Sequence, residues 1–322
     1  MREGRTRRAI LVGALLVIAA VVIAVQFSRL GQGVQPGLPA DAPPAGVSVF
    51  YLREPGNPHG LVAYDWGGAR RGRVTLPTWV EITRLRPAPD GSAFLIDPST
   101  PGDYAAYFDR GGRVLFETDD PAFSAQSWAD DSTHVCVLSE NTNGEVLITR
   151  RPGQPDHTVP TRLTGDNNVA GCSLRTDTMI VSSDNRLEVL TLSNGNVLGT
   201  LPVSSAVLAS PDAGYLALNP SGTEPALIFR ATDLSKPIAQ LGDGLTPLAF
   251  SGDGSLLLAG TAGGAGVIQA LAWRTGKVAW SYDPLGAAVD GVQARPSSGD
   301  FVVYLSSGPV LLRRDGRTGT IG

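Results

Sequence analysis

A chain of 322 residues, 42% of them hydrophobic and only 17% charged, is long enough to bury a sizeable core. Its formal net charge is −4, but Arg2, Arg5, Arg7, Arg8 and Arg29 against Glu3 give the first 30 residues +4 and leave −8 for the remainder. An acidic body without a basic stripe argues against nucleic acid and against anionic lipid headgroups as its partners.

In chain order, residues 1–8 form a short basic N-terminus. Ala9–Phe27 carries no charge and one polar residue, Gln26, and as a helix would span about 28 Å, close to the hydrocarbon thickness of a bilayer. Four arginines precede it and one follows. The expectation is therefore a single-pass transmembrane signal-anchor at 9–27, its N-terminus cytoplasmic and the rest extracytoplasmic. The competing reading is a signal peptide cleaved near Val22-Ile23-Ala24; the length of the apolar run favours the anchor. Residues 28–46 hold Pro36, Pro39, Pro43 and Pro44 among small side chains, a semi-rigid linker reaching at most about 60 Å.

The domain, residues 47–322, is read from one stretch, Leu245–Pro284. Pro247–Phe250 is a short apolar strand, Ser251-Gly252-Asp253-Gly254 a turn, Leu256–Ala259 a second strand, and Val267–Trp273 a third. Arg274-Thr275-Gly276 turns the chain again into Val278–Tyr282. Four antiparallel strands in about 40 residues cannot bury both faces alone and become stable beside copies of themselves.

Copies recur. The third turn of the unit, between strands C and D, places glycine at Gly68, Gly111, Gly153, Gly195, Gly276 and Gly316, with four of five intervals between 40 and 43 residues. Asp233-Leu234 fills the double interval without a glycine. The A–B turns keep the same period at Asp90, Asp131, Asp177, Asp212, Asp253 and Asp300. Seven C–D hairpins predict an all-β, seven-bladed β-propeller of four-stranded antiparallel blades. Blade one is the exception. Ser48–Leu52, Leu61–Trp66 and Arg73–Leu76 supply its strands B, C and D, but strand A should precede Val47, where prolines suit an innermost strand poorly. Either blade one has three strands, or Thr318–Ile321 at the end of blade seven crosses over to serve it.

Ala209-Ser210-Pro211-Asp212 with Tyr215-Leu216-Ala217, and Phe250-Ser251-Gly252-Asp253-Gly254 with Leu256-Leu257, resemble the A–B turn of TolB-type and WD-like propeller repeats. The run Ala270-Leu271-Ala272-Trp273-Arg274-Thr275-Gly276-Lys277-Val278-Ala279-Trp280 is similar to the tryptophan-docking repeat of quinoprotein-type propellers. It departs at Ala272, where that repeat usually has Asp, and Gly199 stands where blade four would carry the tryptophan. The resemblance implies the fold and no particular activity.

The chemistry-bearing residues are sparse. His59, His134 and His157, expected in a B–C loop, a strand B and a C–D turn, share no metal-ligand spacing, and no nucleophile elbow or phosphate loop occurs. No catalytic residue, metal or cofactor is expected. Cys136 in blade three and Cys172 in blade four lie on adjacent blades, so an exported domain could bridge them, or both could be small buried thiols. The B–C loops vary most in length. Glu54, Asp103, Glu140, Asn143 and Glu224 within them are the candidate partner-binding residues, although solvated loops carry such residues in any case. The expected function is a membrane-anchored, extracytoplasmic binding or scaffolding module with a protein partner in the cell envelope. The alternatives are a propeller enzyme of quinoprotein or lactonase type, which a bound cofactor or metal would reveal, and a sensor acting through a membrane partner.

Overall fold

The structure is a computed structural model that describes residues 42–322 except 81, 83, 98–104, 119–124, 142–143, 164–166, 184, 204–205, 220–223 and 262–265. The expected transmembrane segment at 9–27 lies outside the described residues, and among those described no helix is long and apolar enough to cross a membrane. Asp41–Gly322 forms one compact unit.

That unit contains seven antiparallel sheets, six of four strands and one of three, in simple meander order. The domain is a seven-bladed β-propeller. In blade six the strands are Leu245–Phe250, Leu257–Thr261, Ile268–Ala272 and Lys277–Tyr282, within one or two residues of the sequence reading. The innermost strands, A, of blades two to seven are Arg84–Pro87, Ala125–Trp128, Asn168–Ser173, Val207–Ala209, Leu245–Phe250 and Val289–Ala294. From blade three to blade seven each strand A touches the next.

Both faces of each blade are covered by neighbours, which is why the B strands read as unbroken apolar runs. In Val135–Asn141, strand B of blade three, Val135 and Val137 pack toward blade two while Cys136 and Leu138 pack toward blade four. Each of the seven inter-blade interfaces has its own apolar cluster. Tryptophans stitch some of these interfaces. Trp128 Nε1 donates to the Arg86 carbonyl at 2.9 Å and Trp280 Nε1 to the Arg314 carbonyl at 2.9 Å.

Among the described residues the ring closes without strand exchange. Thr318–Gly319 pairs only with Gly308–Leu312 of its own blade, and blade one has three strands among the described residues: Val49–Arg53, Gly60–Asp65 and Arg70–Thr75. Blades seven and one meet through Phe50, Trp66, Val302 and Leu311, the smallest of the seven buried clusters. Around it the Tyr304 hydroxyl donates to the Tyr51 carbonyl at 3.2 Å, Arg313 donates to the Trp66 carbonyl, and the Gly322 amide donates to the Gly68 carbonyl at 3.0 Å. Gly68 (φ +90°) has to be glycine here, because a Cβ would lie 1.8 Å from the Thr320 carbonyl oxygen.

Three details correct the sequence reading. The left-handed residue of the blade-two C–D turn is Gly112 (φ +83°), not Gly111. His134 belongs to an A–B turn, with its Nδ1 2.6 Å from an oxygen of Asp131, and not to strand B. Proline is no bar to strand A: Pro87 and Pro247 both lie in innermost strands.

The A–B turns are locked by their own aspartates. Asp90 accepts from the Ser92 amide at 2.8 Å, Asp212 from Gly214 at 3.1 Å and Asp253 from Ser255 at 2.9 Å. Asp131 accepts from the amides of Thr133 and His134, each at 3.0 Å, and from the Thr133 hydroxyl at 2.7 Å. Partial burial pushes the Asp131 carboxyl up, but these donors together outweigh it and hold it at about 2. A depressed carboxylate contributes stability that is complete above its unfolded value near 3.8 and lost as pH falls through the folded one. Between about pH 4 and pH 2, Asp131→Asn should therefore lose less stability than the parent in acid unfolding followed by circular dichroism. Identical acid profiles would show that this turn does not report the titration.

Candidate functional site

Two places present themselves, the rim of B–C loops and the inner side of blade one. On the rim, Glu54 is a brace and not a presented carboxylate. Its Oε2 accepts from Asn57 Nδ2 at 2.8 Å and from Arg73 Nε at 2.9 Å, and the Asn57 bond, with Arg73, holds the carboxyl below its usual range. Glu224 is exposed just before strand C of blade five. Glu140 lies in strand B of blade three, its backbone opposite Glu145. Asp103 and Asn143 lie outside the described residues. The structure therefore gathers no cluster from the five.

What the loop-based reading missed on that rim is a buried pair. Glu145, 7% exposed, takes both carboxylate oxygens to Asn167 Nδ2 at 2.9 Å, tying strand C of blade three to the start of blade four. The same two blades are joined through Cys136 and Cys172, which form a disulfide with Cα atoms 6.3 Å apart. Among the described residues no three His, Cys, Asp or Glu side chains come together as metal ligands. His59 Nδ1 lies 2.6 Å from the Val80 carbonyl and His157 opens strand D of blade three, far apart along the chain.

The inner side of blade one is the larger feature. Where strand A would run there is a cavity of about 1130 Å³. It is walled by strand B of blade one at Tyr51 and Leu52, by strand A of blade two at Leu85–Pro87, and by strand A of blade seven at Asp290–Ala294. The Glu54 amide donates to the Gly60 carbonyl at 2.9 Å, which sets the phase of the ladder: Leu52 and Phe50 bond outward to strand C. Val49 and Tyr51 therefore turn their amides inward, where no backbone acceptor among the described residues meets them. Burial raises both tyrosine phenols, Tyr51 and Tyr304, above their ordinary range, so both act as donors, Tyr51 to the Gly91 carbonyl at 2.8 Å. The Tyr304 hydroxyl also lies 3.2 Å from Gln293 Oε1, while the buried Gln293 Nε2 has no partner. Whichever way that amide is turned, one of its polar ends is unsatisfied.

The expectation that prolines disqualify the residues before Val47 had the right outcome for a different reason. Arg110, in the C–D turn of blade two, donates to the carbonyls of Pro44 and Val47, and Ala42 lies against Gly111. Residues 42–47 thus run into blade one across the turn face of blade two.

No protein-family model matches the sequence, and no curated protein matches it. Solved structures do: 1056 chains are similar to it, so many that likeness alone selects no activity. One is the crystal structure of the Myceliophteria thermophila Cps50 (Swd1) β-propeller domain, with TM-score 0.57, 11% identity, 81% of this chain covered and 91% of that one. At that identity the likeness shows the fold alone: this chain carries a β-propeller.

Proposed function

We propose that the protein is a membrane-anchored, extracytoplasmic propeller that binds a protein partner in the cell envelope. The observation that carries the reading is the joining of Cys136 to Cys172 across two blades, because structural disulfides belong to oxidising compartments. The uncharged run Ala9–Phe27 with its arginine asymmetry supports the same placement. A propeller whose stability resides in apolar inter-blade faces leaves its rim and its centre available for recognition, which supports binding as the task.

Protease added to spheroplasts should digest residues 47–322 while a cytoplasmic control survives. Full protection would refute the orientation, and a soluble form beginning near Val25 would show cleavage instead of anchoring. Crosslinking in intact cells, followed by identification of co-purifying proteins, should recover an envelope protein. Recovery of a bound cofactor or metal with the purified chain would favour the enzyme reading.

A further inference from the structure

We propose that the gap in blade one is a receptor for an extended segment of a partner protein, which pairs antiparallel to Val49–Arg53 and becomes the missing inner strand. The inference deepens the protein-binding reading and rests on it.

Three observations converge. The first is an edge: Tyr51, on the cavity wall, points its backbone amide into the gap, where among the described residues its carbonyl meets only the Tyr304 hydroxyl, and an open strand edge is a template for strand addition. The second is space. The cavity, about 1130 Å³, lies where the other six blades each hold a strand of three to six residues, and the unsatisfied amide of Gln293 is on its wall. The third is the route of the chain itself. Arg110 grips Pro44 and Val47, so the residues immediately before strand B are led over blade two and not back into the gap.

The walls state the chemistry of the guest. A strand here is covered on both faces, by Leu85 and Pro87 on one side and by Val292 and Leu305 on the other, so its side chains should be apolar in both directions.

The test uses the full chain in detergent and a displayed library of random ten-residue peptides. The enriched peptides are synthesised with a fluorescent label and titrated by polarisation. The proposal expects apolar sequences. It also expects backbone N-methylation to weaken binding at least tenfold at every second position and little between, because a ladder uses alternate amides. Amide exchange at Tyr51 should be fast in the free protein and slow at least tenfold on peptide addition. Gly291→Phe should block the gap with the fold retained, since a Cβ there meets only Tyr304 at an ordinary 3.8 Å. It should lower peptide affinity at least tenfold with an unchanged circular dichroism spectrum.

The proposal is overturned by failure to enrich any peptide, by binding indifferent to Gly291→Phe, or by N-methylation without alternation. Protection of the Tyr51 amide before any peptide is added would also overturn it. If that protection is lost on dilution, the occupant is a second copy; if it is independent of concentration, the occupant is the protein's own chain. A crosslinked envelope partner retained by Gly291→Phe would sink this site while leaving the protein-binding reading standing.

Discussion

Replacing both cysteines, Cys136→Ala with Cys172→Ala, is expected to destabilise the domain by about 3–4 kcal/mol in the chain-entropy model for a 36-residue separation. Both residues are buried between blades three and four, at 0% and 3% exposure, so alanine adds only a small packing loss to the loss of the crosslink. Chemical denaturation of parent and variant checks this. Alkylation is the companion measurement: unreduced, denatured protein should take up no thiol reagent, and reduction should open two sites. Two alkylated cysteines without reductant would remove both the bond and the argument for an oxidising compartment built on it.

Phe50→Ala should cost about 3–5 kcal/mol, the usual range for emptying a buried phenylalanine site. Its ring is fully buried and contacts Trp66 at 5.3 Å and Tyr64 at 5.7 Å between centroids. The same truncation at Phe301, between blades six and seven, removes a ring from a larger cluster. The two variants should therefore differ in kind. Phe50→Ala should make blades one and seven the first to be cut in limited proteolysis, whereas Phe301→Ala should lower the midpoint without selecting those blades. Equal cleavage patterns would mean that the closing interface is not the weak one.

The period of the fold was legible because turn chemistry is local. An aspartate that bonds its own backbone, followed by a residue able to take positive φ, leaves a signature within four residues, and four such turns, at Asp90, Asp131, Asp212 and Asp253, made the register plain. Even there the non-glycine cases had to be inferred. Ser132 (φ +61°), Asp177 (φ +53°) and Ala213 (φ +49°) occupy the strained position, and each has side-chain work of its own. Ser132 accepts from the Asp90 amide, Asp177 from the Ser193 amide, and the Ala213 methyl is buried between blades four and five.

The candidate site was not legible, for the opposite reason. Proline before Val47 looked decisive, yet Pro87 and Pro247 sit in innermost strands; what turns the chain aside is Arg110, more than sixty residues on from the carbonyls it holds. Glu54 was chosen because it lies in a loop. Its engagement comes from Asn57, three residues on, and from Arg73, which reaches it only after the hairpin has formed. Contacts of that separation have no local pattern to betray them.

Closure by faces alone has a consequence for how the chain could be rewired. Gly322 ends bonded to the C–D turn of blade one, and Ala42 enters beside the C–D turn of blade two, so both ends emerge at adjacent corners of one side. Among the described residues no strand is shared between first and last blades, so the seam is set by where the backbone happens to be cut and not by any sheet that needs it there. Linking those ends and opening another blade-to-blade connection would leave every ladder with the partners it already has. Such a circular permutant would have a movable origin, and blade one would become an interior member of the series while keeping its gap.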